Sequence, residues 1–189
     1  MKILVLDNYD SFTYNLVHII RSLGHHPDIF RNDKIAVEEV SRYDKILLSP
    51  GPGIPSEAGI MLPLIKEYGA TKSILGICLG HQGIAEVYGA QLFNIPHVLH
   101  GVTSIGKVKD ENERLFTGVS KTFYCTHYHS WAVVPESIPG DLKVTATNDD
   151  GLVLGISHIK HDVKGLQFHP ESVMTTEGPK MIENWLKDK

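Results

Sequence analysis

The segment Ser73-Ile74-Leu75-Gly76-Ile77-Cys78-Leu79-Gly80-His81-Gln82 contains the strongest signal for the fold. Its first part, residues 73–77, is an apolar run that predicts a buried strand, and residues 79–88 predict a helix. The two elements meet at Cys78, which has a glycine two positions away on each side. Glycine allows a sharp turn without a Cβ clash, so the segment predicts a strand–turn–helix that exposes the Cys78 sulfur at the edge of a sheet.

Strand-like and helix-like segments alternate through the rest of the first half of the chain. The predicted strands cover residues 2–6, 27–30 and 45–48, and the predicted helices cover residues 12–23, 37–41 and 60–68. Such alternation is typical of an α/β protein with a mostly parallel central sheet and helices on both faces. Because sites in parallel sheets lie at the carboxyl ends of the strands, we expect the loops at residues 7–11 and 49–56 to lie near Cys78.

The second half of the chain has a different pattern. Residues 98–159 contain β-rich stretches separated by turn signals such as Pro139-Gly140-Asp141, and they predict antiparallel hairpins added to the sheet. Residues 178–187 predict a final helix. No repeat or long linker interrupts the sequence, so we expect a single domain over residues 1–189.

The composition is that of an ordinary globular protein, with 42% hydrophobic and 21% charged residues. Its net charge is −4 and it has no basic block, which argues against a nucleic-acid partner. No apolar run approaches the roughly 20 residues of a membrane helix, and the first run is too short for a signal peptide. Two cysteines, Cys78 and Cys125, do not indicate a disulfide scaffold, so we expect a cytoplasmic protein with reduced thiols.

Cys78 is the candidate nucleophile. The N-terminus of the following helix would point at its sulfur and favour the thiolate, and the amide of Leu79 would be placed to stabilise an oxyanion. The alternative is that Cys78 is a small buried hydrophobic residue, as most free cysteines are. The strand–turn–helix context favours the catalytic interpretation. Cys125 lacks that context, and we expect it to be structural.

A thiolate nucleophile needs a base and a group that orients this base. The triplet His169-Pro170-Glu171 follows a predicted short strand at residues 166–168, and residues two apart in an extended segment face the same side. Glu171 could therefore hold the tautomer of His169, as the acid of a catalytic triad does. A solvated surface loop is the alternative for these two residues, and His81, one helical turn after Cys78, is a rival base.

The loop Ser49-Pro50-Gly51-Pro52-Gly53 is a further part of the predicted site, because its glycines let a ligand approach the backbone. Gly53 could donate a second oxyanion amide, although a plain tight loop also fits the pattern. The loop lacks the spacing and the lysine of a phosphate-binding loop. His127 and His129 alternate as two metal ligands on a strand would, but the pattern offers no clear third and fourth ligand, so no metal is expected.

Together these motifs resemble the class I (triad-type) glutamine amidotransferases, and most closely the small subunit shared by anthranilate synthase and aminodeoxychorismate synthase. The resemblance runs almost end to end and rests on several blocks. These blocks are residues 7–15 (DNYDSFTYN), 49–53 (SPGPG), 55–59 (PSEAG), 76–82 (GICLGHQ), 128–130 (YHS) and 167–172 (QFHPES). The first block is the most telling, because other members of the class usually lack it.

The resemblance implies a flavodoxin-like fold, a Cys78–His169–Glu171 triad and oxyanion donors at the backbone of Gly53 and Leu79. His81 is then a motif residue and not the base. The glutamine-binding residues that it implies are Gly51, Pro52, Gly53, Gln82, Ser130 and Trp131. It implies no metal and no organic cofactor. The ammonia would serve a partner, the chorismate-using synthase subunit that makes anthranilate for tryptophan, or aminodeoxychorismate for folate, or both.

Three positions depart from the family pattern, and all lie outside the implied triad. Trp131 stands where leucine is common, His127 where arginine is common, and Val102 where lysine often follows a His-Gly pair. Other interpretations are an amidotransferase for a GMP or carbamoyl phosphate synthase, a standalone cysteine hydrolase of the same fold, and a regulatory subunit with a dead site. The block at residues 7–15 and the short chain argue against the first, and the intact triad positions argue against the last.

Overall fold

Nine strands form one sheet in the computed structural model, which describes residues 1–187. The strands are β1 (Ile3–Asp7), β2 (Asp28–Arg31), β3 (Lys45–Leu48), β4 (Ser73–Ile77), β5 (Leu92–Val108), β6 (Thr122–Val133), β7 (Leu142–Thr147), β8 (Val153–His158) and β9 (Val163–Leu166). Their order across the sheet is β2-β1-β3-β4-β9-β8-β7-β5-β6. Residues 188 and 189, the end of the predicted domain, lie outside the described residues.

The sheet has a parallel half and an antiparallel half. Strands β2, β1, β3, β4 and β9 are parallel neighbours, in the order of a flavodoxin-like sheet with β9 in the fifth place. From β9 onward each neighbouring pair is antiparallel. The predicted α/β fold, with a parallel centre and an added antiparallel part, is confirmed.

Four α-helices cover the two faces of the sheet, and short 3-10 turns connect other elements. The helices are α1 (Thr13–Ser22), α2 (Met61–Tyr68), α3 (Leu79–Val87) and α4 (Gly178–Leu186), and the 3-10 helices are Val37–Arg42, Pro55–Glu57, Arg114–Phe116 and Pro135–Ser137. Helices α1 and α4 share one core with the sheet, and α2 and α3 share the other. Within residues 1–187, none of the helices has the length and apolar character needed to cross a membrane.

The central strands have continuous apolar sequences because both of their faces are covered. In β1, Val5 faces the core that contains α1 and α4, whereas Leu4 and Leu6 face the core that contains α2 and α3. All three side chains are fully buried. Alternate residues of a strand point to opposite faces, so a strand between two helical layers needs apolar residues at every position. The alternation with helices, and not a period of two, is therefore the sequence signal for this sheet.

The predicted strand at residues 166–168 is wrong in its position. Strand β9 occupies Val163–Leu166, and the chain leaves the β4–β9 ladder after Leu166. The N–H of Gln167 still donates to the carbonyl of Leu154 in β8, but the N–H of His169 donates to Thr126 in β6. The chain therefore crosses from the centre of the sheet to its far edge, and Phe168 is fully buried on the way.

A buried ion pair joins the antiparallel half of the sheet to the connection between β5 and β6. The ammonium of Lys164 in β9 lies 2.9 Å from Oε1 and 3.1 Å from Oε2 of Glu113. Glu113 also accepts hydrogen bonds from the Leu115 N–H and from the hydroxyl of Ser157. Removing one member of such a pair leaves an uncompensated charge in a site shielded from water.

We expect Glu113→Ala to lower the free energy of unfolding by about 3 kcal/mol, since it leaves the buried Lys164 with only the more distant carboxylate of Asp162, 3.9 Å away. Glu111→Ala is the matched control, because the Glu111–Lys121 pair is exposed, and an exposed pair contributes little to stability. Urea unfolding followed by circular dichroism measures both. Equal effects of the two substitutions would contradict the role given to the buried pair.

Candidate active site

The backbone at Cys78 has an unusual conformation, with φ of 51° and ψ of −100°. Positive φ is uncommon for a residue with a side chain and marks local strain. Two hydrogen bonds hold the residue there: its N–H donates to the Leu166 carbonyl at 2.8 Å, and its carbonyl accepts from the Gln82 N–H at 3.0 Å. The strained turn directs the sulfur away from both β4 and α3, as in a nucleophile elbow.

Gly76 and Gly80 are needed because of close contacts and not because of their own φ angles, which are not in the left-handed region. A Cβ on Gly76 would overlap the backbone of Gly80 and lie 2.7 Å from the His81 nitrogen. A Cβ on Gly80 would lie 2.6 Å from the Leu48 carbonyl oxygen. The glycines therefore let α3 start directly against β3 and β4, and Cys78 alone adopts the strained conformation.

His169 and Glu171 form a short hydrogen bond, with 2.6 Å between Nδ1 of His169 and Oε1 of Glu171. Both side chains are almost completely buried. The predicted reason for this contact was wrong, because the segment is a turn and not an extended strand: the Ser172 N–H donates to the His169 carbonyl at 3.2 Å. Pro170 lies inside this turn, and its fixed φ suits such a position.

The surroundings of His169 favour its protonated form. Burial opposes the charge, but hydrogen bonds and charge interactions with Cys78 and Glu171 outweigh burial and raise the pKa of His169 to about 10. The Nδ1 atom donates to Glu171, so Nε2 is the nitrogen left for chemistry at the sulfur. Rings of Phe12 and Tyr128 pack edge-on against the imidazole, with centroids at 5.8 Å and 5.0 Å.

A cavity of about 170 Å³ opens beside Cys78. Its lining includes every residue that the sequence predicts to bind glutamine: Gly51, Pro52, Gly53, Gln82, Ser130 and Trp131. Sequence reasoning missed the other lining residues, namely Val98, His100, Tyr128 and His129. Val98 and His100 lie in β5, and no local motif marks them, since only the pairing of β5 with β6 brings them to the cavity.

The loop after β3 approaches the elbow from one side. Gly53 has φ of 75°, and the carboxylate of Glu57 lies next to its α-carbon while accepting the Ile54 N–H at 3.3 Å. Gly51 packs so closely that an added Cβ would lie 2.6 Å from the carbonyl oxygen of Asn8. Leu79 is the first residue of α3, where a backbone N–H has no acceptor within the helix. The amides of Gly53 and Leu79 thus belong to the two segments that flank the sulfur.

Four other histidines, His81, His127, His129 and His158, are buried, and burial lowers the pKa of each. His81 lies against β9, where a Cβ on Gly165 would come within 2.7 Å of its Nδ1, and burial lowers its pKa to about 3. A neutral imidazole packed in this way is a poor candidate for the base. His127 and His129 hydrogen-bond to each other, with 3.0 Å between Nδ1 of the first and Nε2 of the second.

Gln167 is a further residue at the site to which the sequence assigns no role. It is fully buried, and its side-chain amide lies between Cys78 and Gln82. It belongs to the block that contains His169, but no pattern in the sequence shows that its side chain faces the sulfur.

Comparison with known proteins places this geometry in a family. A family model described as glutamine amidotransferase class-I matches residues 4–189. The aminodeoxychorismate/anthranilate synthase component 2 of Bacillus subtilis is 41% identical over 187 residues, which cover 98% of this chain and 95% of that protein. The bifunctional protein TrpGD of Thermotoga maritima is 42% identical, and the match covers 98% of this chain but 32% of that protein. The chain thus spans about a third of the length of that longer relative.

A solved structure agrees with these sequence matches at the level of the fold. A glutamine amidotransferase from Thermotoga maritima superimposes with a TM-score of 0.80 at 15% identity, covering 98% of this chain and 96% of that chain. The family model extends over almost the whole sequence, including both strand β4 with its elbow and the turn with His169. The chain therefore belongs to the class-I glutamine amidotransferase family.

Proposed function

We propose that this chain hydrolyses L-glutamine to glutamate and ammonia through a Cys78–His169–Glu171 triad, as the amidotransferase subunit of a larger synthase. The observation that carries the proposal is the 2.6 Å bond between Glu171 and His169, whose ring packs against Tyr128 in the lining of the small cavity that also contains Cys78. A nucleophile, a base and a group that orients the base are the parts that covalent amide hydrolysis requires.

The first half-reaction forms a thioester. The Cys78 thiolate attacks the side-chain amide carbon of glutamine, and the amide oxygen becomes an oxyanion. Backbone N–H groups of Gly53 and Leu79 stabilise this charge, since both lie on segments beside the sulfur. His169, protonated at neutral pH, gives its proton to the amide nitrogen, and the C–N bond breaks to release ammonia.

The second half-reaction restores the enzyme. His169, now neutral, accepts a proton from a water molecule, and the oxygen attacks the thioester carbon. The C–S bond breaks, glutamate leaves, and the thiolate and imidazolium form again. Glu171 keeps the ring in one orientation throughout, because its bond to Nδ1 leaves Nε2 as the nitrogen that exchanges the proton.

Substrate fit supports glutamine. The cavity of about 170 Å³ has room for a small side chain, and its lining offers Gln82, Ser130 and the Trp131 backbone as polar partners. We assign glutamine binding to these residues together with Gly51, Pro52 and Gly53. No step of this chemistry requires a metal or an organic cofactor.

We infer that the ammonia serves a chorismate-using synthase subunit. The support is the 41% identity to a component 2 of aminodeoxychorismate/anthranilate synthase over 95% of that protein. Anthranilate for tryptophan is the product that we favour, because a relative from Thermotoga maritima named TrpGD matches equally well. Aminodeoxychorismate for folate is the alternative product, and one subunit can serve both.

Cys78→Ala tests the nucleophile. In the complex with the synthase subunit, we expect glutamine-dependent synthesis to fall by more than about a thousandfold, because no thioester can form. Synthesis from added ammonium salt should be unchanged, since it bypasses the triad. Both activities are measured on the same complex, which controls for assembly. Persistent glutamine-dependent activity would remove Cys78 from its role.

The interaction between Cys78 and His169 predicts how the pKa of His169 responds to loss of the sulfur. His169 has a pKa of about 10 in the folded protein and of 6.5 in the unfolded chain. The stability that its protonation gives to the folded state is therefore fully present below about pH 6.5 and is lost as pH rises through about 10. In Cys78→Ala the pKa of His169 should fall, because burial remains while the interactions with sulfur are gone. Titration of ¹⁵N-labelled histidine by NMR compares the two proteins, and identical His169 titrations would contradict the pairing.

A further inference from the structure

The backbone carbonyl of Trp131 accepts two hydrogen bonds from buried side chains. Nε2 of Gln82 lies 2.8 Å from this oxygen, and Nδ1 of His129 lies 2.9 Å from it. A carbonyl oxygen can only accept, so the atom that faces it on each side chain must carry a hydrogen. The Trp131 carbonyl therefore fixes the orientation of the Gln82 amide and the tautomer of His129, which distances alone do not assign.

Gln82 in turn fixes the orientation of the Gln167 side chain, which lies next to Cys78. The Gln82 nitrogen also lies 3.2 Å from the side chain of Gln167, so the Gln167 atom on that side must be its oxygen. The other end of the Gln167 amide is then its nitrogen, which lies 3.7 Å from the sulfur of Cys78. Because both glutamines are almost completely buried, water does not compete for these contacts.

On the other side of the Trp131 carbonyl, the hydrogen bonds of His129, His127 and Ser104 all run in one direction. Nε2 of His129 must accept from Nδ1 of His127 at 3.0 Å, and Nε2 of His127 must accept from the hydroxyl of Ser104 at 2.8 Å. This series of hydrogen bonds requires the imidazole rings of His127 and His129 to be neutral. Burial agrees with this requirement, since it lowers the pKa of His127 to about 3 and that of His129 to about 4. The carbonyl is thus held from both sides in one position.

We propose that Gln167 is a further catalytic residue, whose side-chain N–H donates to the Cys78 sulfur and stabilises the thiolate, and that Gln82 and the Trp131 carbonyl position it. This inference rests on the proposed function, in which Cys78 is the nucleophile. A hydrogen bond to an ionised group is stronger than one between neutral groups. His169 supplies a positive charge near the sulfur, and Gln167 supplies a neutral donor that the reaction does not consume.

A purely structural role for Gln167 makes a different prediction. If Gln167 only supported Gln82, its loss would disturb the glutamine pocket and leave the reactivity of the sulfur unchanged. A probe that reports the reactivity of the sulfur itself separates the two roles. Iodoacetamide is such a probe, because its rate with a cysteine depends on the fraction present as thiolate.

The experiment measures alkylation of Cys78 by iodoacetamide in the full-length protein, with the modified peptide identified by mass spectrometry. Gln167→Met keeps the length of the side chain and removes the donor. We expect it to slow alkylation about tenfold at pH 7, the loss that corresponds to one hydrogen bond to a charged group.

Two controls make the result decisive. Gln82→Met breaks the bond to Gln167 without removing the donor, so it should slow alkylation less than Gln167→Met does. Gln91→Met changes an exposed glutamine far from the sulfur in sequence and should have no effect. An unchanged rate in Gln167→Met at pH 7, or an equal loss in Gln82→Met, would overturn the proposal. If wild-type Cys78 reacted at pH 7 no faster than free glutathione, the proposed nucleophile itself would be wrong.

Discussion

The backbone of Cys78 is the constraint on which the rest of the site depends. Its positive φ places the sulfur above the carboxyl end of β4, and the surrounding structure must hold a conformation that costs about 1–3 kcal/mol. The Cys78 N–H donates to the Leu166 carbonyl and the Cys78 carbonyl accepts from the Gln82 N–H, while Gly76 and Gly80 allow α3 to begin against β3. A larger residue at either glycine would move the helix, and the sulfur would move with it.

The position of β9 in the sheet explains how segments distant in sequence meet at the Cys78 sulfur. Strand β9 lies between β4 and β8, so the residues that follow it emerge beside the elbow. The hydrogen bond from His169 to Thr126 then anchors the turn against β6. The hydroxyl of Thr175 also accepts the N–H of Thr126, which fixes the same turn at its far end. The candidate acid–base pair is thus attached to two strands at opposite sides of the antiparallel half.

Four of the buried histidines, His81, His127, His129 and His169, show how neighbours decide the charge of one side chain. Burial alone would make each of them neutral, and it does so for His81, His127 and His129. His169 is buried to a similar degree, yet its contacts with Cys78 and Glu171 reverse the outcome. The protein therefore places a single positive imidazole next to the sulfur, with neutral imidazoles behind the cavity.

Periodicity and turn signals were enough to predict four of the five parallel strands, the elbow at Cys78 and the residues around it, because these depend on local sequence. Strand β9 was predicted at the wrong position. Local patterns could not predict that Gly76 acts through a close contact, or that His169 and Glu171 share a turn. They also could not predict the contacts of Gln82 with Trp131 and Gln167, which lie 49 and 85 positions away in the chain. Such contacts follow from strand order, which no short motif encodes.

The central place of β9 has a consequence for biosynthesis of the protein. A growing chain that has reached β8 already contains the elbow, but β4 and β8 then have no strand between them. Unpaired strand edges in the middle of a sheet are unstable and prone to wrong pairing. The parallel half can close, and His169 can reach the elbow, only after residues 163–171 have left the ribosome. Folding order thus leaves the candidate site incomplete until nearly the whole chain has been made.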